Sequence, residues 1–335
     1  MPRLIWVDPR GPAPSSVAEA VQVLRAGGLV GLPTETVYGL AVRAFDERAV
    51  ARVFSTKGRP PHHPLIAHVA GEEQARALAA NWPEHASLLA SAFWPGPLTL
   101  VVQRAPHVPS AVTGGGSSIA IRAPSHPVAR AIIAELDEPV AAPSANRYGC
   151  LSPTLAAHVV SQLGDAVDLV LDAGPCEAGI ESTVVDLRGP VVRVLRPGAV
   201  DIASLRAFVK DIEANREAPS PPGPRPSPGL ETHHYAPRAR LRIASTSAEA
   251  VAAAREVASR GERVGLVVHA GRELALEGAL VHSLPADPVR YASLLYRTLH
   301  ELDDAGVDAI VVQRVPAAEE WLAVADRLRR AETKE

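Results

Sequence analysis

Between Ala218 and Pro228 the chain reads Ala-Pro-Ser-Pro-Pro-Gly-Pro-Arg-Pro-Ser-Pro. Proline fixes φ and has no amide hydrogen to donate, so the run favours extended polyproline II and cannot enter a packed helix or a sheet interior. This stretch divides the 335 residues into a first domain over 1–213, a linker over 214–239 and a second domain over 240–335. Domains of roughly 100 to 200 residues fit that partition. With 47% hydrophobic and 21% charged residues the chain can bury a sizeable core, and disorder throughout is excluded.

Charge limits the partners. Lys+Arg number 34 against Asp+Glu 37, a net charge of -3, which argues against a basic coat for nucleic acid. Aromatics make up only 4%, too few for a base-stacking platform. No apolar run reaches the roughly 18 to 20 residues of a membrane span, and the start lacks the apolar stretch of a signal peptide, so a cytoplasmic protein without membrane contact is expected. Cys150 and Cys176 make neither a zinc cluster nor a C-x-x-C pair, and His62, His63, His68, His233 and His234 show no metal-ligand spacing. There is no G-x-S-x-G nucleophile elbow.

Short apolar runs at 29–32, 65–69, 98–102, 119–121, 140–142, 169–171, 184–187 and 191–195 read as strands, with helical patterns around 46–54, 84–93, 127–136 and 154–163. Ser16-x-x-Glu19 reads as a capping box opening a helix that Gly27-Gly28 ends. The mixture of helix-separated and closely spaced strands predicts an α/β domain with a mixed sheet. After the linker, strands at 241–244, 264–268 and 309–312 alternate with helices around 248–259, 288–304 and 317–332, as in a small doubly wound sheet. It carries no G-x-G-x-x-G after its first strand, so dinucleotide binding is not expected.

The polar signals concentrate in the first domain, next to strand ends. Pro33-Thr34-Glu35-Thr36-Val37-Tyr38-Gly39-Leu40 offers two hydroxyls and a carboxylate that either bind a polar substrate or cap the next element. Lysine occurs only at Lys57, Lys210 and Lys334, so Lys57-Gly58-Arg59-Pro60 is a conspicuous choice. An ammonium point charge and a guanidinium fork beside a glycine suit phosphate oxygens. Arg122, closing a strand, suits a carboxylate or phosphate, or else an ion pair with Asp or Glu. Pro143-Ser144-Ala145-Asn146 offers donors and acceptors, or simply turn chemistry. Glu181-Ser182-Thr183 and Arg196-Pro197-Gly198 complete the set.

In this order, with Pro64-Leu65-Ile66-Ala67-His68 after the lysine motif, these segments resemble the YrdC-like family. The linker end, Ser227-Pro228-Gly229 through His234-Tyr235-Ala236-Pro237, and the α/β tail are similar to the long, two-domain threonylcarbamoyl-AMP synthases within it. The resemblance covers about residues 8–332 and implies a YrdC-like domain with a twisted mixed sheet, followed by a small Rossmann-like doubly wound domain. It implies synthesis of threonylcarbamoyl-AMP and pyrophosphate from L-threonine, bicarbonate or CO2, and ATP with Mg2+, feeding the t6A modification of tRNA by a downstream threonylcarbamoyl transferase.

By motif position, Thr34, His68, Arg122, Ser144 and Ser182 would line the threonine site. Lys57, Arg59, His63, Ser118, Asn146, Thr154 and Arg196 would surround ATP, with Lys57 and Arg59 as the catalytic cations. His234 and Tyr235 are expected near the phosphates, on a linker half that folds over the cleft. Mg2+ is expected on the phosphates rather than on protein side chains, and stable direct tRNA binding is not expected. The chain departs from the family at His63, where asparagine is usual, and at Glu231, Thr232 and His233 in the linker. Two rivals are a non-catalytic RNA-binding module and a carbamoyl-transfer protein of the hydrogenase-maturation type. The latter lacks support in zinc-finger cysteine pairs or an acylphosphatase-like segment.

Overall fold

A computed structural model describes residues 2–214, 226–229, 235–269 and 276–333. They pack as two compact units. The first takes in most residues to 230, and the second comprises 231–335 together with two short excursions, 149–152 and 178–180.

The first unit contains strands β1 (Arg3–Trp6), β2 (Val30–Leu32), β3 (Gly39–Arg43), β4 (Ile66–His68), β5 (Leu98–Gln103), β6 (Ser118–Arg122), β7 (Val140–Ala141), β8 (Leu169–Asp172), β9 (Thr183–Asp186), β10 (Val192–Arg196) and β11 (Ile212–Ala214). Among the described residues they form one mixed sheet in the order β1-β8-β2-β3-β7-β4-β6-β5-β9-β10-β11. Its helices are α1 (Pro14–Arg25), α2 (Glu47–Lys57), α3 (Glu72–Leu78), α4 (Glu84–Phe93), α5 (Pro127–Leu136), α6 (Ala156–Leu163) and α7 (Ile202–Arg206).

Alternation along the strands sorts the core into two faces. Leu40 and Val42 join Val50, Phe54 and Val159 from α2 and α6, whereas Ala41 joins Val21, Leu24, Ile132 and Ile133 from α1 and α5. Helices therefore cover both sides of the sheet's first half. The expected strands and helices are present, with β1, β3, β11, α3 and α7 additional to them. Ser16 is not the cap of α1. That helix starts at Pro14 behind an Ala13 N-cap that makes no side-chain bond, because proline's fixed φ is already helical and its missing amide hydrogen costs nothing in the first turn.

The most consequential helix is α2. Asp46 caps it, accepting from the amides of Arg48 and Ala49, and Gly58 ends it in the left-handed conformation at φ 63°. Its buried stripe runs Ala49, Val50, Val53, Phe54 and then Lys57, four residues after Val53. Helical periodicity thus carries the lysine onto the inward face.

The second unit holds β12 (Arg240–Ala244), α8 (Ser247–Ser259), β13 (Val264–His269), β14 (Ala279–Leu284), α9 (Pro288–Asp304), β15 (Ala309–Gln313) and α10 (Leu322–Ala331). Its sheet is parallel throughout, in the order β12-β15-β13-β14. The expected terminal helix begins at Leu322, after a 3-10 turn over Glu319–Trp321. In α10 the buried Asp326 gathers Arg327, Arg329 and Arg330 at 2.8–3.0 Å. Burial pushes its carboxyl up, but the three guanidinium groups outweigh burial and hold it below the usual range. Among the described residues no helix is long and apolar enough to cross a membrane.

Gly198 follows β10 where the chain lies against the start of β9. A Cβ there would come within 2.4 Å of the Glu181 carbonyl oxygen and the Ser182 carbonyl carbon, both backbone atoms that cannot swing aside. Gly198→Ala is expected to destabilise the first unit by about 1–3 kcal/mol, the usual cost of overpacking. Urea unfolding followed by circular dichroism measures this, and an unchanged midpoint would contradict the close approach.

Candidate active site

Two buried cationic centres and one arginine-serine cluster make up the site, each assembled by residues far apart in sequence. At the end of α2 the Lys57 ammonium donates to the carbonyl oxygens of Ser144 and Asn146, both at 2.5 Å, with Asn146 Oδ1 at 3.4 Å. Lys57 is only 3% exposed, and a buried ammonium is tolerated where oxygen dipoles replace its lost hydration. The Tyr148 amide returns a bond to the Lys57 carbonyl at 2.8 Å, so the loop after β7 and the end of α2 are tied in both directions. Arg59, also buried, donates to the Pro64 carbonyl at 3.0 Å and lies 5.9 Å from the Tyr148 ring centroid. The rings of His63 and Tyr148 are 5.5 Å apart.

Arg122 closes β6 and is held from three sides. Its Nε donates to the Gly96 carbonyl at 3.2 Å, one terminal nitrogen to Thr36 Oγ1 at 2.8 Å, and the other lies 2.7 Å from Glu35 Oε1. Thr36 bonds Thr34 Oγ1 at 2.9 Å, and Thr34 donates to the Val37 carbonyl at 2.6 Å. The hydroxyls thus form a chain that leads from the guanidinium into the loop backbone. Burial raises the Glu35 carboxyl's affinity for a proton, but the charge and hydrogen bond of Arg122 prevail and leave its pKa lowered. These contacts engage Nε and both terminal nitrogens, and each terminal nitrogen carries a second N–H. The nitrogen beside Glu35 is buried and ion-paired without a hydrogen bond among the described residues.

His68 is the register neighbour of Arg122 across β4 and β6. Burial first, and the Arg122 charge second, lower its pKa to about 3, so the imidazole is neutral at physiological pH. Beyond β5, Ser182 Oγ is 2.7 Å from Thr99 Oγ1 and accepts from Arg196 at 3.2 Å, while Arg196 also donates to the carbonyls of Ser182 at 2.9 Å and Pro228 at 3.3 Å. The loop between β2 and β3 connects two of these groups. Thr36 reaches Arg122, while the Tyr38 carbonyl accepts from Ala145 and Gly39 pairs with Ser144.

Residues 22–198 match the family described as telomere recombination, and residues 200–332 match the threonylcarbamoyl-AMP synthase C-terminal domain. The threonylcarbamoyl-AMP synthases of Pyrococcus abyssi and Bacillus subtilis are 37% and 36% identical, over 93% and 94% of this chain and 92% of each relative. A crystal structure of the Pyrococcus abyssi homologue complexed with L-threonine is similar with a TM-score of 0.92 at 36% identity, covering 98% of this chain and 97% of that one. The chain belongs to the threonylcarbamoyl-AMP synthase family. These relatives support neither the RNA-binding nor the hydrogenase-maturation reading.

For a threonylcarbamoyl-AMP synthase, the arrangement groups the expected residues as follows. Lys57 meets Ser144 and Asn146, Arg59 and His63 each lie near the Tyr148 ring, and Arg122 is linked to Thr34 and flanked by His68. Ser182 meets Arg196. Ser118 is buried at the start of β6, at the opposite end of that strand from Arg122. Thr154 is buried with its amide bonded to His158, and its hydroxyl makes no hydrogen bond among the described residues. His234 lies outside the described residues. Tyr235 belongs to the second unit, where its ring is buried near Arg327 at 5.3 Å and Tyr296 at 5.9 Å.

Sequence reasoning missed four contributors. Glu35 and Thr36 were legible as polar residues but not as the anchors of Arg122, and Thr99 was hidden inside an apolar strand, where a lone hydroxyl is the one available signal. Tyr148, two residues past the asparagine motif, carried none.

Because the folded pKa of His68 lies below the unfolded value of 6.5, its contribution to stability is present above 6.5 and is lost as pH falls toward about 3. NMR of the ring carbons is expected to show His68 neutral, without a titration step, from pH 8 down to about 5. A midpoint near the unperturbed value would contradict the burial described.

Proposed function

We propose that this chain condenses L-threonine, bicarbonate or CO2, and ATP into threonylcarbamoyl-AMP, releasing pyrophosphate, and so supplies a tRNA threonylcarbamoyl transferase with the intermediate for t6A. The observation that carries the reading is the pair of buried cations, Lys57 and Arg122, joined through the Thr34–Tyr38 loop in a chain of this family.

The threonine carboxylate takes the two remaining N–H groups of Arg122. Glu35 neutralises the guanidinium in part, which makes the contact a fitted one rather than a general attraction for anions. Neutral His68, with the hydroxyls of Thr34, Ser144 and Ser182, meets the substrate's ammonium and hydroxyl without adding charge. Lys57, Arg59 and Arg196 face the triphosphate, together with Ser118, Asn146, Thr154 and the titratable His63. The threonine amine, once its ammonium has lost a proton to solvent, bonds to the carbon of CO2 with release of a proton, or to that of bicarbonate with loss of water, giving a carbamate. A carbamate oxygen then bonds to the α-phosphorus while the bond from that phosphorus to the bridging oxygen breaks, and the electron pair leaves with pyrophosphate. The chain's contribution is placement and neutralisation of the charge that develops on the leaving oxygens.

The side chains described around the site are cations, hydroxyls, amides and the separate imidazoles of His63 and His68, and the Glu35 carboxylate is engaged by Arg122. Among the described residues no three His, Cys, Asp or Glu side chains form a metal cluster. This set fits an Mg2+ carried in on phosphate oxygens, which would supply further charge neutralisation there.

The test is incubation with ATP, radiolabelled bicarbonate and L-threonine, with separation of labelled adenylate. Lys57→Ala is expected to lose about 10²- to 10³-fold in rate with its circular dichroism unchanged, the loss typical of removing one preorganised charge from a developing anion. A near-parental rate at saturating ATP would place Lys57 outside the reaction.

A further inference from the structure

The column of side chains beside Lys57 contains two members, Tyr148 and His62, that the proposed reaction does not use. From Arg59 it passes to the Tyr148 ring, 5.9 Å from the guanidinium carbon, then to the His63 ring at 5.5 Å and the His62 ring at 4.6 Å. The last pair meets edge to face, with an interplanar angle of 89°. Arg59, His63 and Tyr148 are each fixed by hydrogen bonds outside the column. Arg59 is tied by its amide to the Phe54 carbonyl at 2.9 Å and by a terminal nitrogen to Pro64 at 3.0 Å. The His63 amide donates to Pro60 at 3.1 Å, and the Tyr148 amide donates to Lys57 at 2.8 Å.

We propose that Tyr148 is a positioning residue for ATP, acting through Arg59. The proposal rests on the synthase reading above. An arginine side chain has several rotatable bonds, and ordering it on binding costs affinity unless the free protein already holds it. The Pro64 carbonyl fixes one nitrogen of the Arg59 guanidinium, and the face of the phenol ring limits rotation of the rest, leaving the group to meet phosphate in a preset orientation. The same residue's amide closes the end of α2, so a single loop residue sets the placement of both cations of the Lys57-Gly58-Arg59 motif. His63 and His62 act as a backstop that keeps the Tyr148 ring from turning away.

What is required of Tyr148 is a ring, not a hydroxyl. Tyr148→Leu is therefore expected to weaken ATP binding about two- to tenfold, the range of a cation–π contact in a partly desolvated setting. Tyr148→Phe should bind within about twofold of the parent. Binding is measured on the full chain by calorimetry with ATP and Mg2+ in the absence of threonine, so the result does not depend on adenylate formation. In an Arg59→Lys background, Tyr148→Leu should produce no further loss, because the two residues act as one unit. The threonine KM should stay at the parental value. Parental ATP binding by Tyr148→Leu, an equal defect in Tyr148→Phe, or additive losses with Arg59→Lys would each overturn the proposal. So would a parallel rise in the threonine KM, which would mark a general structural role. A parent chain that binds no ATP at all would instead overturn the synthase reading on which the proposal stands.

Discussion

A guanidinium buried to 3% exposure must be neutralised, and the way Arg122 is neutralised sets the layout of its side of the site. Removing one partner of a buried ion pair typically costs about 3–5 kcal/mol, so Glu35 has to be present at that spot whatever else its loop does. Glu35 lies between β2 and β3, and bringing it to Arg122 draws Thr34 and Thr36 with it. The guanidinium that results is engaged at all three nitrogens, by Gly96, Thr36 and Glu35. An arginine left unpaired would bind anions indiscriminately. Paired in this way, it offers a carboxylate a specific, directional site.

Lys57 meets the same requirement differently. Carbonyl dipoles of Ser144 and Asn146 surround its ammonium, leaving its full charge available to an incoming phosphate. In the proposed function the two solutions would suit the two substrates: a partly neutralised fork for a carboxylate, and a point charge for a polyphosphate.

The sequence made part of this plain and withheld part. The stripe Val50, Val53, Phe54, Lys57 lies within one helix, and its period alone turns the lysine inward. Scarcity of lysine made that position stand out further. The partnership of Glu35 with Arg122 joins residues far apart in the chain, and local pattern contains no trace of which distant cation a carboxylate will meet. β3 was obscured because its apolar run, Leu40 to Val42, directly continues a polar motif that drew a functional reading. The linker was read as beginning at 214, yet Ser227 is fully buried and Pro228 accepts a bond from Arg196 within the first unit. Proline content announces that a segment cannot form regular structure, but it says nothing about whether the segment docks.

The central claim, that Arg122 receives the threonine carboxylate, is tested most directly by Arg122→Lys in steady-state kinetics with each substrate varied in turn. An ammonium retains the charge but cannot present two parallel N–H groups. The account predicts a threonine KM raised about tenfold or more with ATP binding unchanged, in keeping with the loss of a charge-assisted bidentate contact. A variant with parental threonine KM and weakened ATP binding would contradict it and assign Arg122 to the nucleotide.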